Sequence, residues 1–169
     1  MTEPRCAHPS CLDPALAPGP GTCFRHLPDA AAYLADLART LVVEGGGAGA
    51  SLRGLVFPDA PLALADLAGA DVRGADLSRA DLRGADLARA NLAGARLAGA
   101  QLASAKLFEA DLTGADLAGA DLRRANLQRA RLDGARLDRA NLAGANCRGA
   151  DLARATLDGA ILDGALVPR

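Results

Sequence analysis

From Ala50 to the end of the chain the apolar positions recur every five residues, without insertion or deletion, over 24 consecutive pentads. Ala holds the first place of every pentad except the one that opens at Leu55. Leu holds the third place in 20 of them, and Phe57, Val72, Cys147 and Val167 are the departures. The second place is mostly Asp or Asn, as in Ala75-Asp76-Leu77-Ser78-Arg79 and Ala90-Asn91-Leu92-Ala93-Gly94. An α-helix does not accommodate this period, because five residues advance about 500° at roughly 100° each and the Leu stripe would spiral around the cylinder. The 13 fifth-place glycines would add a penalty of about 1 kcal/mol apiece in a helix. A flat strand fails as well, since a period of two sends residues five apart to opposite faces. What remains is a coil that turns once per pentad, with the first and third places inward and the other three outward. Four such sides close a square.

The pattern Ala-(Asp/Asn)-Leu-x-x over residues 50 to about 165 resembles that of the pentapeptide-repeat proteins. The resemblance implies an all-β fold: a right-handed quadrilateral parallel β-helix, a solenoid in which four pentads make one coil. The third-place residue would fill its axis, with the first-place Ala beside it. The 24 pentads then give about six coils, and a rod roughly 25–30 Å long at about 4.8 Å between stacked strands. Each stacked Leu would contribute about 1.5–3 kcal/mol by its burial. Gly at the fifth place suits a tight corner. Arg79, Arg89, Arg124, Arg129, Arg139 and Arg154 occupy the same place, so the expectation is that not every corner takes a positive φ.

Ahead of the rod, residues 28–49 read as a helix and a glycine linker. Pro28 stands at the start, Asp29 in the first turn, and Tyr33, Leu34, Leu37, Leu41 and Val42 follow at helical spacing until Gly45 to Gly47. A repeat stack has an apolar open end that needs a cap. The helix is expected to lie over the first coil, whose outward or corner sites carry Val56, Pro58, Pro61 and Leu64; an amphipathic partner-binding helix is the competing reading. Residues 1–27 hold Cys6, His8, Cys11, Cys23 and His26 in a stretch rich in Pro and Gly. Cys6-x4-Cys11 and Cys23-x2-His26 are two ligand pairs that suit a structural, tetrahedral zinc site, with His8 as a spare ligand. The alternative is a tail with adventitious thiols. At the other end, Leu166-Val167-Pro168-Arg169 spells what thrombin cleavage of a purification tag leaves, so residues 166–169 are read as a scar.

Composition sharpens this picture. Half of the 169 residues are apolar, yet only Phe24, Tyr33, Phe57 and Phe108 are aromatic, as expected where only Ala and Leu fit inside. No apolar run approaches the roughly 20 residues of a membrane helix, and no secretory signal opens the chain, so a cytoplasmic protein is expected. Net charge is −1, which speaks against a strongly basic nucleic-acid surface. Both histidines lie in the N-terminal cluster, leaving the rod without a general base of that kind. The run Asp66, Asp71, Asp76, Asp81 and Asp86 winds around the outside among Arg73, Arg79, Arg83 and Arg89 and reads as compensated surface. Cys147 reads as a small core residue.

The best-known activity in the resembled family is protection of type II topoisomerases by acidic, dimeric rods that imitate duplex DNA. Residues 50–169 carry 16 Lys and Arg against 15 Asp and Glu, a balance unlike DNA. The expected function is therefore a non-enzymatic protein-binding or scaffolding module, and the alternative is a gyrase-interacting DNA mimic. The expected partner surface is the stretch containing Arg123, Arg124, Arg129, Arg131, Arg136 and Arg139. An end-to-end dimer is expected through the last coil, at Ile161, Leu162 and Ala165.

Overall fold

The computed structural model describes residue 35 and residues 38–42 and 47–168. The chain divides into two compact units, Met1–Leu37 and Ala38–Arg169, and the repeat lies wholly in the second. The Cys/His segment and the start of the expected helix fall outside the described residues.

The second-place residue of each pentad makes a parallel β-bridge to the residue 20 positions later, from Ser51 with Asp71 to Asn146 with Leu166. One coil is thus four pentads, and the fold is a parallel β-solenoid whose strands are single bridging residues. We number its faces 1 to 4 from the pentads that open at Ala50, Leu55, Ala60 and Ala65, each face continuing at intervals of 20.

One pentad shows how the coils are stitched. The N–H of Asn91 donates to the Ala70 carbonyl (2.9 Å) in the preceding coil, while those of Leu92 and Gly94 donate to Asp111 (2.7 Å) and Thr113 (2.9 Å) in the next. The Ala95 N–H then returns to the Leu92 carbonyl at 2.9 Å and closes the turn. Among the described residues the fourth-place N–H donates to no backbone carbonyl. Where the second place is Asp or Asn, its side chain takes it instead, as where Ala93 donates to Asn91 Oδ1 (3.2 Å) and Ala118 to Asp116 Oδ1 (3.1 Å). This local turn is why the second place favours Asp and Asn. An unpaired amide is costly to leave, and only a short side-chain acceptor reaches it.

The corners correct an expectation. Every fifth-place residue from Gly49 to Gly164 has positive φ, including Arg79 (58°), Arg89 (59°), Arg124 (58°), Arg129 (59°), Arg139 (59°) and Arg154 (55°). The reason is the closing bond from the first-place N–H to the third-place carbonyl. It makes the fifth place the third residue of a turn that requires φ above zero, whatever the side chain. Gly114 (φ 65°) has open space where a Cβ would stand. Gly114→Ala therefore isolates the conformational penalty, about 1–2 kcal/mol, and urea unfolding should show a lower midpoint with an unchanged slope.

Inside, the first- and third-place residues from Ala60 to Cys147 are at most 1% exposed. The two ends differ. Leu52, Leu55 and Phe57 of the first coil are buried, whereas Leu162 of the last is 39% exposed. Helical residues 38–42 belong to the same unit as the rod, and Ala38 and Leu41 are buried. The outward residues expected beneath the helix, Val56, Pro58, Pro61 and Leu64, are all exposed. What is buried at this end is the axial layer, because that is where the unstacked Leu and Phe side chains point. Pro61 also blunts the rim, since a second-place N–H of the first coil has no earlier coil to receive it.

The coil geometry also starts earlier than the sequence pattern. Gly49 has φ 67° and donates to the Ala68 carbonyl (2.8 Å), and Ala50 donates to that of Gly47 (3.0 Å). Gly47 and Gly49 thus stand at third and fifth places of a further pentad on face 4.

Candidate functional site

The second-place Asp run does not converge. Successive members lie on different faces, and each of Asp66, Asp71, Asp76, Asp81 and Asp86 accepts a fourth-place N–H. Arg73 Nε and Nη2 bind Asp71 at 2.8 and 2.5 Å, and Arg83 and Arg123 clasp Asp81 and Asp121 in the same way. The guanidinium hydrogen bonds hold these three carboxyls below the usual carboxylate range. At Asp76 the Ser78 hydroxyl (2.6 Å), followed by the Ser78 N–H, does the same.

A carboxyl whose folded pKa is depressed stabilises the protein above its unfolded pKa, and that contribution is lost as pH falls through the folded value. The urea midpoint should therefore decline below about pH 4, near the unperturbed carboxyl values. Asp76→Asn should decline less, because the amide keeps the Oδ1 acceptor and does not titrate. An identical acid slope in the variant would remove Asp76 from this account.

Other ion pairs run between coils, 20 residues apart: Asp59 with Arg79, Asp76 with Arg96, Asp86 with Lys106, Asp111 with Arg131 and Asp116 with Arg136. Glu109 receives Arg89 from one side (3.1 Å) and Arg129 from the other (3.4 Å). Arg154 closes on Asp133. These pairs are solvent-exposed and individually weak, but they settle the charge pattern. On each face the cations and carboxylates of the described residues balance to within one.

The arginines at 123–139 accordingly do not form one patch. The 20-residue coil places Arg123 and Arg124 on face 3, Arg129 on face 4, Arg131 on face 1, and Arg136 and Arg139 on face 2. Arg123, Arg129, Arg131 and Arg136 are engaged in ion pairs. The guanidinium groups of Arg124 and Arg139 have no partner among the described residues. A shallow open groove on face 2 is lined by Ala118, Gly119, Arg136, Asp138, Arg139 and Asp158.

Cys147 is fully buried at a third place, and burial pushes its thiol up to about 11, which makes it unreactive at neutral pH. At the last coil Ile161 (46% exposed), Leu162, Leu166 and Val167 present apolar side chains to solvent. Among the described residues no helix is long and apolar enough to cross a membrane, and no group of His, Cys, Asp and Glu could hold a metal. The candidate ligands Cys6, Cys11, Cys23 and His26, with His8, lie outside the described residues.

A four-sided solenoid with a charge-balanced surface and an Ala and Leu axis defines a repeat protein of the β-solenoid class. The chain belongs to the pentapeptide-repeat family. The model of pentapeptide repeats (8 copies) matches residues 48–84, 75–114, 105–144 and 130–166. A pentapeptide repeat protein (Rfr23) from the cyanobacterium Cyanothece 51142 is similar at 30% identity and a TM-score of 0.57, covering 80% of this chain and 99% of its own. A pentapeptide repeat protein from the Arabidopsis thaliana thylakoid lumen is 38% identical over 57% of this chain and 64% of its own, with a TM-score of 0.38. QnrB1, a plasmid-mediated fluoroquinolone resistance protein, is 21% identical over 69% of this chain and 70% of its own, with a TM-score of 0.31. No curated protein sequence matches the chain.

Proposed function

We propose that this chain is a non-enzymatic protein-binding or scaffolding module, a rod of about six right-handed coils closed at its first coil by the helix that carries Leu41. The observation that carries this reading is the surface itself. Its faces are charge-balanced, and most of their carboxylates are occupied as turn acceptors and ion-pair partners rather than gathered into a reactive cluster. Such a surface offers fixed columns of side chains at regular spacing, which suits recognition of another protein and no particular chemistry.

Imitation of duplex DNA requires a continuous acidic face, and no face of the described residues has a carboxylate excess above one. A gyrase supercoiling assay with and without quinolone separates the two readings. No inhibition and no protection at micromolar protein is the expected result, and either effect would favour the mimic. Cross-linking in the native host should capture a protein on the rod, and an empty result would remove the binding-module reading.

Two further features are part of the proposal. Cys6, Cys11, Cys23 and His26 bind one structural zinc, with His8 in reserve, because two closely spaced ligand pairs fit a closed tetrahedral site. Metal analysis of the full chain should find about one equivalent of zinc; less than about half would sink the site. The exposed apolar side chains of the last coil pair with a second copy. Light scattering at micromolar concentration should report a dimer, and a monomer would refute the pairing.

A further inference from the structure

Among the described residues, ten corners carry a residue other than glycine in the left-handed region, where a side chain is strained. Six of them are accounted for by ion pairs: Asp59 with Arg79, Arg89 and Arg129 with Glu109, and Arg154 with Asp133. The other four are Leu64, Ser104, Arg124 and Arg139, and their side chains have no polar or charged partner among the described residues. No hydrogen bond or ion pair among the described residues accompanies the strain at these four, although the Leu64, Arg124 and Arg139 stems lie over Gly84, Gly144 and Gly159 of the next coil.

Their placement is not scattered. Leu64, Ser104 and Arg124 are fifth-place residues of face 3 and form a single column at the corner between faces 3 and 4. Arg139 is a fifth-place residue of face 2 and stands at the opposite corner of face 3. The corner between faces 1 and 2 is glycine from Gly54 to Gly134 and ends at the paired Arg154. The corner between faces 4 and 1 has the Arg89, Glu109 and Arg129 triad as its only departure among the described residues. Corner residues without a polar partner thus border one face of the four. All four residues are exposed, Leu64 by 74%.

Their chemistry selects a ligand. A guanidinium without an internal partner is matched by a carboxylate, which it holds in a two-pronged, charge-assisted bond. Leu64 and the neighbouring Pro61 offer an apolar contact at the first-coil end of the same face. Arg124 lies three coils further on, about 14 Å at roughly 4.8 Å per coil, which an extended segment covers in four or five residues. Nucleic acid fits less well, since its affinity grows with the number of phosphates neutralised, and along this charge-balanced face and its two corners only Arg124 and Arg139 carry a guanidinium with no ion-pair partner among the described residues.

We propose that face 3 is the partner-binding face and that it takes an extended acidic segment of another protein. An apolar side chain of that segment meets Leu64 and Pro61, and carboxylates further along it meet Arg124 and Arg139. This rests on the protein-binding reading above and names the surface and partner chemistry for it.

The test uses the full chain and a fluorescent peptide with one Leu, a four-residue Ser/Gly spacer and three Glu. Controls are the same peptide with Lys for Glu and a short single-stranded oligothymidylate. The acidic peptide should bind in low salt, weaken as salt rises, and lose about tenfold or more in affinity to the double variant Arg124→Gly, Arg139→Gly. That variant should melt at or above the temperature of the parent, because glycine is unstrained at those corners. The proposal fails if the acidic peptide does not bind or binds the variant equally well. It also fails if the Lys peptide or oligothymidylate binds as tightly, or if the variant melts lower, which would make the arginines structural. If host cross-linking captures the same protein on parent and variant, face 3 is wrong while the binding-module reading stands. If it captures nothing on either, both fall.

Discussion

Leu107→Asp should abolish cooperative folding of the rod. Leu107 is wholly buried at a third place on face 4, in the column with Leu87 and Leu127 one coil to either side. The substitution removes a stacked side chain, which costs about 2–5 kcal/mol when a core Leu is cut back. It also inserts a carboxylate that has no cation within the axis, at a further cost of several kcal/mol. A solenoid holds each coil only by its neighbours, so a lesion at the middle leaves two short stacks that each have a new open end. Circular dichroism should show loss of the native signal, and hydrogen exchange should show loss of protection on both sides of residue 107. Leu162→Asp is the control: the side chain is already 39% exposed, and the variant should keep a cooperative transition. If both variants melt like the parent, the Leu axis is not what holds the coils together.

How far the sequence could be read depends on which physical signal each feature leaves in it. The Leu and Ala columns were legible because axial packing is sterically strict at every layer, so the period survives every departure down to Cys147. The Asp and Asn at the second place were legible as surface but not as turn acceptors. Their role is set by the fourth-place N–H, which is left without a backbone partner only once the corner closes. The corners were misread because Arg and Gly share the fifth place, and mixed occupancy looks like a relaxed requirement. The backbone demands positive φ at all of them, and ion pairs such as Arg79 with Asp59 accompany the exception.

The candidate interface was the least legible. Six arginines close in sequence between Arg123 and Arg139 look like a patch, yet each successive pentad turns onto the next face, so proximity along the chain means separation around the rod. The useful spacing is 20, not 5. At that spacing carboxylates and cations such as Asp111 and Arg131 neutralise one another. Arg124 and Arg139 are left over, and no reading of composition isolates them, because the residues that would have paired with them are defined by the coil and not by the chain.

The start of the rod leads to the second large effect, at Gly47. Its position in a run of glycines marks it as linker, but its surroundings are those of a core residue. It is buried, its carbonyl accepts the Ala50 N–H, and a Cβ built on it would overlap the Asp66 carbonyl oxygen. The same Cβ would stand 2.9 Å from Leu67 Cδ2 and 3.1 Å from Leu41 Cδ2. From Leu67 to Cys147 the third-place residues of face 4 send their own side chains into the axis. Here the third-place residue has none, and Leu41 of the helix reaches the space beside Leu67 instead. Gly47 and Leu41 therefore act as one element, the first supplying room and the second filling it. Gly47→Ala should destabilise the Ala38–Arg169 unit by about 1–3 kcal/mol through overpacking against backbone that has no freedom to retreat. Leu41→Ala should cost about 2–5 kcal/mol by opening a cavity over Leu67. Because the two residues share one space, the double variant should lose less than the sum of the single losses, since the shortened residue 41 relieves the crowding at residue 47. Urea unfolding of the four proteins measures this coupling. Strictly additive losses would mean that Leu41 does not close the rod at Gly47, and the first coil would then owe its buried Leu52, Leu55 and Phe57 to something else.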